Sequence, residues 1–209
     1  MPRCVITAGA TRNPVDAIRY LSAHASGRTG VSIARELSDR GLNVHLLGSA
    51  EALLRLDRPA VVGEEYGSTR DLLQRLQRQV EATPAMGIVH SAAVGDYEAA
   101  PSDAKIPSGK ASLTLTLQPT PKILDAIRGW GLTGPLVSFK AAAPGTSHEA
   151  LVSIARAQLR RTESDRVFAN VIGRTQSDVF LVSESDATCF PSRADGIAAL
   201  QDWLYARLA

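Results

Sequence analysis

Val5-Ile-Thr-Ala-Gly-Ala-Thr-Arg-Asn-Pro14 and, a short way on, Ala25-Ser-Gly-Arg-Thr-Gly30 decide how this chain folds. The apolar residues 4–6 end in Ala8, Gly9 and Ala10, the pattern of a buried strand running into a tight turn. The second small-residue cluster opens a helical pattern with Ile33, Ala34 and Leu37 on one face. A polar connection carrying Thr11, Arg12, Asp16, Arg19 and His24 lies between them. Small residues let backbone N–H groups approach a ligand, and a helix start attracts anions through its unpaired donors and its dipole. Two such places facing one crevice would hold a polyphosphate. Two ordinary strand–helix connections would leave the same pattern, so this stretch alone is a weak signal.

Working outward, Gly41 stands where a helix ends in a left-handed residue, and residues 43–47 follow as a second strand. Strand, helix, strand at this spacing is a right-handed unit of a parallel sheet. A nicotinamide-binding fold would place an acid at the end of that second strand to hold ribose hydroxyls. Gly48-Ser49 stands there and Glu51 comes late, which weakens that alternative. Residues 68–80 have helical spacing with Ser68 as N-cap, and residues 86–90 read as a buried strand. At its carboxyl end sits Ser91-Ala-Ala-Val-Gly-Asp-Tyr97, where an open α/β sheet binds ligands, although a single Asp96 there is more often a turn residue.

Residues 98–110 contain two Pro and two Lys and show no periodicity, so they read as a loop. The strict alternation of residues 112–118 predicts an antiparallel strand. Thr120 is expected to cap a helix opened by Pro121. Residues 135–139 and 166–170 read as further parallel strands, with a helix at 148–161 whose inner face is Leu151, Ile154, Ala155, Gln158 and Leu159. Residues 178–182 and 187–190 read as a hairpin, and 195–208 as a closing helix. The expected fold class is α/β: a Rossmann-like, mainly parallel sheet with flanking helices. The alternating strand and the hairpin are expected to form a separate small antiparallel extension.

Taken together, these motifs resemble the phosphopantothenate–cysteine ligase family (phosphopantothenoylcysteine synthetase), the ligase domain of the bacterial DNA/pantothenate metabolism flavoprotein. The residues that carry the resemblance are Ile6-Thr-Ala-Gly-Ala-Thr-Arg-Asn-Pro-Val-Asp16, Arg19-Tyr-Leu-Ser22, Ala25 to Gly30, Ser91 to Tyr97 and Pro121-Lys-Ile-Leu124. Lys105-Ile106 falls where that family has a lysine-rich segment, with Lys110 the candidate for a later lysine. The resemblance implies a single ligase-like nucleotide-binding domain over residues 1–209. It would join 4′-phosphopantothenate to cysteine through an acyl-nucleotide made from CTP or ATP with Mg²⁺, as a homodimer. Lys105 and His24 are the implied catalytic candidates. Nucleotide contacts fall to Gly9, Ala10, Thr11, Ser26, Gly27, Arg28, Ser91, Ala92, Ala93, Asp96, Lys105, Phe139 and Lys140. Arg12, Arg19, Ala23 and Asn170 would meet the substrate. Three positions depart from the family by losing a polar group: Ala23 for Asn, Ala142 for an acid, and Val171 for Asp. A relative that binds nucleotide without completing ligation is therefore the alternative.

Composition limits the remaining classes. A net charge of +2 is too weak a basic balance to argue for nucleic acid. Cys4 and Cys189 make no metal spacing, lie in or beside apolar runs and read as buried free thiols; no protein metal site is expected. The first three residues run straight into the first strand and no apolar run reaches spanning length, so a cytoplasmic protein without a membrane segment is expected.

Overall fold

A computed structural model describes residues 3–100, 102–109 and 111–209 of the chain. Lys110 lies outside the described residues. Eight strands form one sheet: β1 (Arg3–Ala8), β4 (Asn43–Gly48), β5 (Val62–Glu65), β6 (Gly87–His90), β9 (Leu136–Ala142), β10 (Arg166–Val171), β11 (Ser177–Val182) and β12 (Ala187–Ser192). Their spatial order is β12-β11-β10-β9-β6-β1-β4-β5, and every pair from β5 to β10 is parallel. Numbered among themselves, the parallel strands run 3-2-1-4-5-6, the doubly wound order whose reversal between β1 and β6 opens a crevice at the strands' carboxyl ends.

The expected parallel strands and long helices are present. Helix α1 (Arg28–Asp39) buries Val31, Ile33, Ala34 and Leu37 against one sheet face. At roughly 1.5–3 kcal/mol for each fully buried Val, Ile or Leu side chain, this face rather than helix propensity holds α1 in place. It ends as expected, with Gly41 at φ 88°. Helix α3 (Thr69–Ala82) is capped by Ser68, whose Oγ accepts the Asp71 N–H at 3.2 Å, and it buries Leu72, Leu76 and Val80 on the other face. Helix α5 (His148–Thr162) buries Leu151, Ala155, Gln158 and Leu159, while Ile154 turns outward, contrary to the expected inner face. Helix α6 (Arg193–Leu208) closes over the face that α1 covers.

Four further expectations need correction. The hairpin β11–β12 is not a separate extension; β11 pairs antiparallel with β10 and continues the main sheet. Of residues 112–118 only the end is strand: β8 (Leu117–Pro119) pairs with β7 (Tyr97–Ala99), and Leu113 and Leu115 are exposed. Alternation predicts a strand only where one face is buried, and here no layer covers it. Thr120 does not cap; its hydroxyl donates to the Gly95 carbonyl at 2.6 Å, and the short α4 (Ile123–Ala126) starts later. Cys189 is exposed on β12 rather than buried, whereas Cys4 is fully buried and desolvation pushes its thiol up to about 12. Composition did not show a small hairpin, β2 (Arg12–Pro14) with β3 (Tyr20–Ser22), or the short α2 (Ala50–Leu53).

Candidate functional site

The turn after β1 sets the site. Gly9 has φ 93°, and a Cβ there would lie 2.0 Å from Ser49 Oγ, so only glycine lets the β1 and β4 ends pack this closely. The turns after β1 and β6 are then stitched together. Thr11 N–H donates to the Ala93 carbonyl at 3.1 Å, and Ala93 N–H to the Gly9 carbonyl at 2.9 Å. The N–H groups of Ala92 and Gly95 donate to the Thr7 and Thr11 hydroxyls at 3.1 and 2.9 Å. Most donors of the 91–95 turn are thus spent on structure, not left for a ligand. Thr11, expected at the nucleotide, is fully buried and its hydroxyl is taken up in this stitching.

The free donors lie at α1. Its N-cap Gly27 has φ 76° and no side-chain cap, so the first-turn N–H groups of Arg28, Thr29 and Gly30 have no acceptor within the helix. Gly30 lets this end sit against β1: a Cβ there would lie 2.6 Å from Ala8 Cβ and 2.7 Å from Ser91 Oγ. The helix end opens into a cavity of about 630 Å³ lined by Gly9, residues 24–30, Ser91 to Ala93, Phe139, Asn170 and Arg193, among others. Arg193 was not evident from the sequence. Its guanidinium lies 5.1 Å from the Phe168 ring centroid and donates to Thr29 Oγ1 at 3.1 Å and the Thr175 carbonyl at 3.3 Å. Among the described residues it pairs with no carboxylate, and burial lowers its pKa. It stands in the first turn of α6, where the dipole favours an acid, two residues before the expected start of that helix.

A second cavity of about 480 Å³ adjoins the first, sharing Ala92 and Phe139. Asp96 lines it, paired with Lys122 at 2.5 Å, as do Lys140, His90 and Gln158. The Phe139 ring is half-buried and tilted 32° against Phe168 at 5.1 Å. His90 is buried, and desolvation lowers its pKa from 6.5 to about 4. A third, smaller cavity of about 220 Å³ is lined by Ala10, Arg12, Ala23, His24 and Ser26. It meets the first at His24 to Ser26. Arg12 stands 5.0 Å over the Tyr20 ring at its edge.

Two expected contacts lie elsewhere. Arg19 lines none of these cavities; it forms an ion pair with Asp16 and donates to the Ile106 carbonyl at 3.3 Å. Asp16 Oδ2 accepts the Ile106 N–H at 3.0 Å, which leads in holding its carboxyl down at about 2, with the Ile18 and Arg19 N–H groups and the Arg19 charge adding. Lys105 is exposed on the loop so tethered and borders none of the three cavities.

Residues 2–200 match the model of the DNA/pantothenate metabolism flavoprotein C-terminal domain. The chain belongs to this family. It is 36% identical over 195 residues to the coenzyme A biosynthesis bifunctional protein CoaBC of Thermococcus kodakarensis, covering 90% of this chain and 47% of that protein. The chain thus spans about half the length of the curated relatives it matches. The crystal structure of the DNA/pantothenate metabolism flavoprotein from Streptococcus pneumoniae superposes with a TM-score of 0.88 at 25% identity, over 99% of both chains. A Cab2 mutant in complex with phosphopantothenate-cysteine shares the fold, with a TM-score of 0.76 at 18% identity, over 98% of this chain and 88% of that one.

Membership in this family sharpens what the three departures mean. Ala142 and Val171 are register partners on β9 and β10, both buried in the apolar cluster with Leu151, Ala155 and Val182. Neither lines a cavity described above. Only Ala23 does. Among the described residues no group of three His, Cys, Asp or Glu side chains is placed to hold a metal, and no helix is long and apolar enough to cross a membrane.

Proposed function

We propose that this chain is a nucleotide-dependent ligase that joins 4′-phosphopantothenate to cysteine. The observation that carries the reading is the cavity at the β1/β6 reversal, where the uncapped start of α1, Arg28 and Arg193 meet, with no carboxylate partner for Arg193 among the described residues. Such a place favours a polyanion by charge and by oriented N–H groups. The adjoining cavity with Phe139 and Asp96 has room for a base and ribose. The family, the relative in coenzyme A biosynthesis and the phosphopantothenate-cysteine complex of a similarly folded protein supply the substrates.

In this reading the phosphopantothenate carboxylate attacks the α-phosphate of CTP or ATP and expels pyrophosphate. The cysteine amine then attacks the acyl carbon and releases the nucleoside monophosphate. Neither step needs a protein nucleophile; the protein positions the reactants and stabilises charge. Mg²⁺ would enter on the nucleotide's own phosphate oxygens, neutralising them, because it is held in such sites by few protein oxygens. Lys105 would reach the phosphates by movement of its loop, and His24, between the first and third cavities, faces both halves of the reaction.

The test is pyrophosphate release with CTP or ATP and 4′-phosphopantothenate, with and without cysteine. Release with both and a phosphopantothenoylcysteine product support the reading; no release with either nucleotide removes it. The homodimer belongs to the same proposal and rests on Tyr97, Leu113, Leu115 and Leu117, apolar side chains left exposed at and beside the β7–β8 ribbon. A monomer in light scattering at micromolar concentration would count against it.

A further inference from the structure

The floor of the second cavity presents one donor and one acceptor whose orientations are fixed from behind. Thr7 Oγ1 accepts the Ala92 N–H at 3.1 Å and lies 3.0 Å from His90 Nδ1. The Thr7 hydroxyl proton has no other acceptor among the described residues, so it is assigned to Nδ1. The neutral ring then carries its own proton on Nε2, which has no protein partner among the described residues. Burial keeps the ring neutral at physiological pH.

Gln158 is fixed in the complementary sense. Its Nε2 donates to Ser138 Oγ at 2.9 Å and to the Phe139 carbonyl at 3.2 Å. A carbonyl only accepts, so the amide cannot be turned round. Its Oε1 is left without a protein partner among the described residues. His90 and Ser138 are register partners on the parallel strands β6 and β9, which puts them on one face of the sheet about 4.8 Å apart. The Gln158 amide is bonded to that same Ser138, and both His90 and Gln158 line the cavity. A strand, a helix and a buried hydroxyl network therefore fix the orientation of an N–H and of an acceptor oxygen on two residues that line one cavity.

We propose that His90 Nε2–H and Gln158 Oε1 read the edge of the nucleotide base and select a base with a ring nitrogen beside an exocyclic amino group. The inference rests on the nucleotide reading above. Cytosine offers N3 to the donor and its 4-amino group to the acceptor; adenine offers N1 and its 6-amino group. Uracil and guanine reverse this order, placing an N–H against the imidazole N–H and a carbonyl against the amide oxygen. To match, they would have to shift along their edge, while the ribose near Asp96 and the phosphates in the first cavity hold the nucleotide in place. The pair excludes bases through mismatched buried polar groups, a stronger sieve than shape alone.

The experiment is calorimetric titration of the full chain with CTP, ATP, UTP and GTP in Mg²⁺, with inorganic tripolyphosphate as the base-free control. CTP should bind at least about tenfold tighter than UTP, and ATP at least about tenfold tighter than GTP. In Gln158→Met, which keeps the side-chain length, both ratios should fall towards one with tripolyphosphate affinity unchanged. His90→Leu should do the same; if it does not fold, the wild-type ratios and Gln158→Met still decide. Equal wild-type affinity within each pair overturns the inference and leaves the nucleotide reading standing. A preference that survives Gln158→Met overturns it too. Binding of tripolyphosphate but of no nucleotide would remove both.

Discussion

His90 should make the protein lose stability in mild acid, and the amount can be worked from its surroundings. The residue is 6% exposed, Thr7 occupies Nδ1, and desolvation lowers its pKa from 6.5 to about 4. The folded chain therefore takes up no proton at His90 until pH falls near 4, whereas the unfolded chain does so below 6.5. Between those values the unfolded state binds more protons, so stability falls as pH falls, and the loss is complete near pH 4. At about 1.4 kcal/mol per tenfold in proton affinity, the whole effect is at most about 3.5 kcal/mol. Urea midpoints measured from pH 7 to 4.5 on the wild type and on His90→Gln isolate it from the carboxylates that titrate in the same range. Gln keeps a side-chain acceptor for Thr7 and does not titrate. The wild-type curve should drop more steeply, the two diverging by about 2 kcal/mol near pH 5, where His90 of the unfolded chain is mostly protonated. Parallel curves would show that His90 protonates as easily folded as unfolded, and the desolvation argument would fail.

Gly9→Ala places a side chain at φ 93° and against Ser49 Oγ, and should cost at least about 1–3 kcal/mol in urea denaturation; a neutral result would mean the β1–β4 junction relaxes freely. Asp16→Asn removes the carboxylate that holds the Ile106 N–H and Arg19, so limited proteolysis should cut residues 102–109 faster, and an unchanged cleavage rate would sink the tether. Because Asp16 is held at about 2, its contribution is present in full above about 3.8 and disappears as pH falls through 2. Arg193→Met keeps the contact with Phe168 but not the charge, and should weaken tripolyphosphate binding by about tenfold or more in titration; equal affinity would take Arg193 out of the anion site. Ala23→Asn adds an amide to the third cavity and should raise phosphopantothenoylcysteine formation without changing nucleotide affinity, whereas no change in rate would show that position 23 does not limit ligation.

The parallel sheet was legible because each of its central strands is an apolar run ending in small residues, and buried parallel strands leave that signature. The hairpin β11–β12 was legible as a hairpin but not as part of the sheet, since local alternation carries no record of which strand it joins. Residues 112–118 misled for the opposite reason. Their alternation is real, but Leu113, Leu115 and Leu117 are exposed, with no layer to face among the described residues. At the site, the small-residue turns were found by their composition, whereas their division of labour was not. Whether Ala93 N–H faces a ligand or the Gly9 carbonyl depends on how two loops 84 residues apart in sequence meet, as in the Gly95 to Thr11 hydrogen bond. Arg193 and His90 were missed because each looked like an ordinary member of its element. Only the sheet order carries the end of β6 and the start of α6 to the same crevice.

The same geometry changes the weight of the three departures from the family pattern. Read in sequence, Ala23, Ala142 and Val171 are equal losses of polarity, and three losses suggest a site in decay. In space they separate. Ala142 and Val171 sit side by side beneath α5, in a cluster completed by Leu151, Ala155, Phe180 and Val182. An isolated acid buried there would cost several kcal/mol unless paired, so two small apolar residues together are a consistent packing solution. What remains is a single exposed alanine lining a small cavity together with His24 and Arg12. A decaying anion site should also have lost its cations or gained carboxylates among them. Here Arg28 and Arg193 line the cavity beside the uncapped α1 start, and among the described residues no Asp or Glu lines it with them. This charge and donor arrangement fits the nucleotide site proposed above, and on that proposal any impairment falls at the later step, where the acyl group meets the amine.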